Sequence, residues 1–149
     1  MPMRPIIQAL VLAERIYTDK SEKKIIAGTF NRIVISKRVV ETHKLEDGSQ
    51  RLVMPGGTDP GCPSAYLSLT DVVNNTDISL QIVNVSKNRV LFGTALTIEC
   101  HDWLATIEII IPLPPFRTFL NEPGTFSFDV VWKGEILGSH RVIVTEEQP

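Results

Sequence analysis

The chain has 149 residues, of which 43% are hydrophobic and 21% charged, the length and composition of one globular domain, and it fits neither the disordered nor the membrane class. A chain of this size buries roughly 68–70% of its unfolded surface and can build its own core. Its net charge of −2 gives no general attraction to polyanions, so nucleic acid is not an expected partner.

No apolar run approaches the ~20 residues of a membrane-spanning helix, and no membrane partner is expected. Met1-Pro2-Met3-Arg4-Pro5 lacks the charged region, apolar run and cleavage site of a signal peptide. With only Cys62 and Cys100, reduced thiols and a cytoplasmic location are expected. The sequons at Asn74 and Asn84 carry no weight without export. Charge is uneven, +4 up to Val53 and −6 after it. Lys20, Lys23, Lys24, Arg32, Lys37 and Arg38 read as a solvated turn and strand ends rather than a phosphate-binding patch.

In chain order, Ile6 to Tyr17 reads as a first strand, with a helix over Leu10 to Tyr17 as the minor alternative. Thr18 to Lys23 is a polar turn. Lys24 to Phe30 and Arg32 to Ile35 form a return segment, with Gly28 a bulge or point of close approach. From residue 36 to 64 the pattern dissolves into charge and then into a Pro/Gly-rich run from Met54 to Pro63, a long irregular loop.

Ala65 to Asp71 resumes the strand pattern, with Leu67 and Leu69 on one face and Tyr66, Ser68 and Thr70 on the other. The turn Asn74-Asn75-Thr76-Asp77 leads into Ile78 to Val85, and Ser86-Lys87-Asn88 turns the chain again. Over Arg89 to His101, Val90, Phe92, Leu96, Ile98 and Cys100 alternate with Gly93, Ala95, Thr97, Glu99 and His101. Ile107, Ile109 and Ile111 repeat the device, and Pro112-Leu113-Pro114-Pro115 stops it. Glu122-Pro123-Gly124-Thr125 reads as a type II turn feeding an inward row of Phe126, Phe128, Val130 and Trp132. Lys133-Gly134 returns the chain into Glu135 to Thr145.

About eight short strands with frequent turn signals and little or no helix predict an all-β, two-sheet antiparallel β-sandwich of the immunoglobulin or C2 type, one domain over residues 1–149. Two stretches carry a resemblance: Ala9-Leu10-Val11-Leu12-Ala13-Glu14-Arg15-Ile16 with Ile25 to Ile33, and Leu113-Pro114 with Pro123 to Val130, Lys133 to Leu137 and Arg141 to Val144. Together they resemble the opening and the closing hairpin of an uncharacterised bacterial family of small β-sandwich domains. That resemblance covers about half of the chain and consists of turn glycines and strand hydrophobes. It implies a bacterial, cytoplasmic sandwich and carries no functional residue.

The chemistry-bearing residues converge poorly. Cys100-His101-Asp102 places a thiol, an imidazole and a carboxylate in series, but neighbours in a strand point to opposite faces, so Cys100 is expected in the core and not as a nucleophile. Cys62 reads as a free loop thiol. His43, His101 and His140 stand singly, without zinc-ligand spacing, and the aspartates Asp71, Asp77, Asp102 and Asp129 lack the clustering of a calcium site. Glu99, Glu108 and Asp129 show no acid/base pairing. No catalytic residue, metal or cofactor is expected. Trp132 is expected in the core. Trp103, Phe116 and Phe119 form the candidate interaction surface, because loop aromatics can anchor a partner, with a core plug as the other reading of Trp103 and Phe116. The expected function is a non-enzymatic protein-interaction or assembly module with a protein partner or a second copy of itself, and the alternative is a small-ligand or carbohydrate-binding module using Trp103 and Phe116.

Overall fold

The structure, a computed structural model, describes residues 3–35, 41–44, 46–53 and 61–146. Short segments rich in Val, Ile, Leu and Thr, broken by turn residues, form strands for the reason the alternation implies: one face of each can be buried while the ladder satisfies the backbone. In order these are β1 (Ile6–Thr18), β2 (Lys24–Thr29), β3 (Arg32–Ile35), β4 (Glu41–Lys44), β5 (Gln50–Val53), β6 (Ser64–Thr70), β7 (Thr76–Asn84), β8 (Arg89–Ile98), β9 (Ile107–Pro112), β10 (Gly124–Trp132) and β11 (Glu135–Glu146). One turn of 3-10 helix, Phe116–Thr118, is the only helical element among the described residues. No helix there is long and apolar enough to cross a membrane.

Two open sheets make a β-sandwich. One has the order β2-β1-β6-β9 and the other β3-β11-β10-β7-β8, while β4 and β5 pair only with each other. That hairpin lies inside the segment expected to be an irregular loop, and its register runs from Glu41 opposite Val53 to Lys44 opposite Gln50. The Gly-Pro run at 54–60 falls outside the described residues.

The core sits between the layers. Leu12, Ala65, Leu67, Leu69 and Ile111 from the first sheet join one cluster with Ile78, Leu80, Ile82, Phe126, Phe128, Val130, Val142 and Val144 from the second. Fully burying one such side chain contributes roughly 1.5–3 kcal/mol. Central β10 is buried on both faces from Phe126 to Val130, including Ser127 and Asp129 on its outer side. Asp129 accepts a 2.6 Å hydrogen bond from the Ser139 hydroxyl of the neighbouring strand, which offsets the burial of its carboxylate.

Several expected details differ. Segments 24–30 and 32–35 are not one return arm: β2 pairs antiparallel with β1, then the chain crosses at Phe30-Asn31 and β3 pairs parallel with β11 in the other sheet. Gly28 is the expected close approach, with φ of 72° and the Glu14 side chain against its α-carbon. The strand expected to run to His101 ends at Ile98. Val90 faces solvent because a bulge between Ile82 and Val83 inserts Leu91 opposite no partner and reverses the alternation. Residues 122–125 do not close as a type II turn. Gly124 has φ of 152°, far from the roughly +80° which that turn requires, and the Thr125 amide donates instead to Ser86 Oγ at 3.0 Å.

At Gly124 a β-carbon would meet Ser86 Oγ at 3.3 Å in a backbone conformation that L-residues rarely adopt. Gly124→Ala is expected to destabilise the protein by about 1–3 kcal/mol, read as a lower denaturation midpoint in urea. An unchanged midpoint removes this account of the β7–β10 junction.

Candidate functional site

Strand register places four segments at one end of the sandwich: residues 3–5 before β1, the β6–β7 loop at 71–75, the β8–β9 loop at 99–106, and the β10–β11 turn at 133–134. Each is shaped by local chemistry. Asp71 and Asn75 adopt φ of 57° and 59°, a region that Asp and Asn tolerate better than most residues, and the Thr76 hydroxyl donates to the Val73 carbonyl. In the β8–β9 loop Asp102 organises a turn: its Oδ1 accepts the Leu104 amide at 3.0 Å and its carbonyl accepts the Ala105 amide at 3.0 Å. That turn holds Trp103 and Leu104 outward, 50% and 69% exposed.

Three of these segments enclose a cleft of about 470 Å³, lined by Met3, Val73, Asn75, Asp77, Trp132 and Lys133 among others. Trp132 is half-buried, its inner side against the core, and Lys133 Nζ lies 5.0 Å from the centre of its ring. Asp77 Oδ1 accepts a 2.6 Å hydrogen bond from Thr97 on the neighbouring strand. At the rim Arg4 pairs with Glu135 at 3.1 Å. Met3, Val73 and Ile136 are exposed nearby, so this end combines apolar side chains with charge.

The three residues expected to form the interaction surface are not together. Trp103 belongs to the end just described, whereas Phe116 and Phe119 lie at the other. Phe116 is 2% exposed, packs edge-on against Phe30 with ring centres 5.6 Å apart, and its amide donates to the Gly61 carbonyl. It is a core plug and offers no ring to a partner. Phe119 packs against Phe92 at 5.3 Å and borders a shallow polar groove with Lys87, Arg89, Asn121 and Glu122. There Lys87 Nζ bridges both Glu122 carboxylate oxygens at 2.9 Å. The bond from Lys87 is the first cause holding the Glu122 carboxyl below its ordinary value, with Asn84 and Arg89 adding to it.

Trp132, expected in the core, continues the inward row of Phe126, Phe128 and Val130 and packs against the core, half-buried because it ends the strand. The other reactive groups stay apart. Cys100 packs against the core and its thiol donates to the Asp102 carbonyl at 3.0 Å, leaving His101 exposed. Cys62 is exposed before β6, at the end opposite Cys100, and both thiols are free. Glu108 accepts from Tyr66 on the outer face of the first sheet, remote from Asp129 on the second. Among the described residues no three His, Cys, Asp or Glu side chains are grouped to hold a metal. Of the basic residues, Lys20 and Lys23 lie in a turn organised by Asp19, which accepts from Ser21 and Lys23, and Lys37 and Arg38 fall outside the described residues. A scan against protein-family models gives no match to the chain, and a search of curated proteins gives none.

Phe116→Ala is expected to destabilise the fold by about 3–5 kcal/mol, whereas Trp103→Ala at its exposed site leaves the midpoint within about 0.5 kcal/mol; comparable losses for the two would contradict this placement. The Glu122 contact has a pH signature. A carboxyl held below its ordinary value in the folded state contributes stability above that value and loses it as pH falls through the lowered one. Glu122→Gln, which removes the titration, is expected to show a smaller drop in melting temperature between pH 7 and pH 3 than the parent protein.

Proposed function

We propose that the chain is a non-enzymatic protein-interaction module of the cytoplasm, docking its partner through the end of the sandwich built from residues 3–5, 71–77, 99–106 and 132–135. The observation that carries this reading is the display of Trp103 and Leu104 by the Asp102 turn, on the same end as Met3, Val73 and Ile136 and the Trp132 cleft. Large apolar side chains at a polar-rimmed surface lose free energy in water and regain it when a partner covers them, and indole anchors are over-represented among residues that dominate binding. A domain with only two cysteines, unlike a disulfide-built secreted one, suits a reducing compartment.

A second reading, a small-ligand or carbohydrate module, draws on the cleft beside Trp132, since aromatic rings flanked by amide and carboxylate side chains suit polar ligands. It no longer draws on Phe116.

Size-exclusion chromatography with light scattering, together with co-purification from the native host, tests the first reading. A discrete complex or oligomer is expected, lost in the Trp103→Ser/Leu104→Ser double variant with an unchanged melting temperature. A strict monomer that recovers no partner, combined with a hit on a glycan array, overturns it in favour of the second.

A further inference from the structure

Each open sheet has two edges, and a strand at an edge presents unpaired amides and carbonyls to any chain able to pair with them. At three of the four edges the sequence discourages such pairing. β2 carries Lys24 and a left-handed glycine, Gly28, with φ of 72°. β3 is only 4 residues long and begins with Arg32, while β9 carries Glu108 and ends at Pro112, which has no amide hydrogen. β8 differs. Its bulge lies near its start, and from Phe92 to Ile98 it runs in regular register with β7, without a charge or a proline. Among the described residues no strand pairs with its other side.

The side chains of this stretch suit a close neighbour. Gly93, Ala95 and Thr97, which point outward, are small and exposed, while Phe92, Leu96 and Ile98 pack inward against the core. Nothing within the chain requires glycine at 93. Its φ lies outside the left-handed region, and an added β-carbon would meet only the Leu80 carbonyl oxygen, at an ordinary 3.8 Å. A glycine inside a strand costs stability and often marks the place where another backbone comes close. The two ends of the stretch also carry opposite charge. Arg89 is exposed at the start, whereas exposed Glu99 follows the last residue and Asp77 is hydrogen-bonded to Thr97.

We infer that β8 pairs antiparallel with β8 of a second copy about a two-fold axis at Ala95, joining the two β3-β11-β10-β7-β8 sheets into one continuous sheet. A two-fold makes the contact self-complementary, so each feature of the edge must suit its own copy. With the axis at Ala95, Phe92 stands opposite Ile98 and Thr94 opposite Leu96 on the inner side, and Gly93 opposite Thr97 on the outer. No charge meets its like. The antiparallel direction brings Arg89 of each copy to the Glu99 end of the other, whereas a parallel pair would set Arg89 beside Arg89. Main-chain hydrogen bonds supply the attraction, and opposite charges at the ends fix the direction. This edge runs along the side of the sandwich, and antiparallel pairing sends the two Trp103 loops to opposite poles, leaving both docking ends free.

Sedimentation velocity of the full chain over a concentration series tests the pair. A monomer–dimer equilibrium is expected, with amide hydrogen exchange slowed over Phe92–Ile98 at dimer concentrations and unchanged in β2 and β9. Ala95→Lys, at an exposed position, sets a charge against its own copy at the axis. It is expected to weaken the dimer about tenfold or more while leaving the melting temperature of the dilute monomer unchanged. Arg89→Glu and Glu99→Arg each weaken it about two- to tenfold, and the two together restore it. Within one chain these residues lie at opposite ends of the strand, so only a contact between copies gives that restoration. A chain that stays monomeric at every concentration overturns the inference. So does a dimer indifferent to Ala95→Lys, a double reversal that fails to restore it, or protection that falls on another edge. Trp103→Ser with Leu104→Ser is expected to retain this pair and to lose only the complex made through the docking end. If that double variant abolishes the dimer while Ala95→Lys leaves it, the second copy is held by the end: the edge inference fails and the interaction reading stands.

Discussion

The packing of β10 against the opposing sheet is the constraint on which the rest depends. Phe126, Phe128 and Val130 project inward from the middle strand of the five-stranded sheet and share one cluster with Leu67 and Leu69 from the middle of the four-stranded one. Because each ladder is hydrogen-bonded and each inner face is filled, neither sheet can slip by one residue without exchanging its buried set for its solvent-facing set. With register fixed, the loop positions follow. Thr76 pairs with Ile98 and Leu69 with Ile107, and this brings the β6–β7 and β8–β9 loops to one end.

The two ends of such a sandwich face the same physical problem, an open mouth between layers, and this chain treats them differently. At one end the segment after β9 folds under the mouth. Leu113, Phe116 and Leu120 are buried there, and the amides of Leu113 and Phe116 bond to the carbonyls of Pro63 and Gly61. At the other end Val72 and Pro5 are buried, but their neighbours Val73 and Met3 remain outside with Trp103 and Leu104. One mouth is sealed with aromatic and aliphatic side chains, and the other leaves Met3, Val73, Trp103 and Leu104 in water, while toward the sealed end Tyr17, Ile25, Val85, Val90 and Ile143 are exposed as well. The open mouth, and not the number of exposed apolar residues, is what supports the proposal of a docking surface here.

Alternation in the sequence revealed the layers because it is the direct trace of a half-buried strand. Leu67 and Leu69, Ile98 and Leu96, and Phe126, Phe128 and Val130 all face inward where the pattern put them. What alternation lacks is any mark for a bulge, so Val90 was assigned inward although the extra residue Leu91 turns it out. Nor does it show which sheet a strand joins: β3 reads like a continuation of β2 and pairs with β11. The site was less legible for a related reason. Whether an aromatic beyond a strand end is plug or anchor depends on where its loop travels, and Phe116 and Trp103 look alike in sequence. Trp132 continues the inward row and packs against the core, but the pattern gives no sign that it is only half-buried at the last residue of its strand.

Loop length and local hydrogen bonding decide why Trp103 and Leu104 stay outside when the hydrophobic effect favours burying them. The β8–β9 connection must cross from one sheet to the other between Ile98 and Ile107, and the mouth beneath it is already occupied by Val72 and Pro5. Within that short span Asp102 claims the Leu104 amide with its carboxylate and the Ala105 amide and Cys100 thiol with its carbonyl. Turning either apolar side chain inward requires breaking those bonds, each worth about 1 kcal/mol net. Local polar geometry therefore overrides burial at this one loop, and it does so beside a cleft whose indole is already engaged by a cation. The same kinds of side chain that pack the rest of the molecule are held in water at this end.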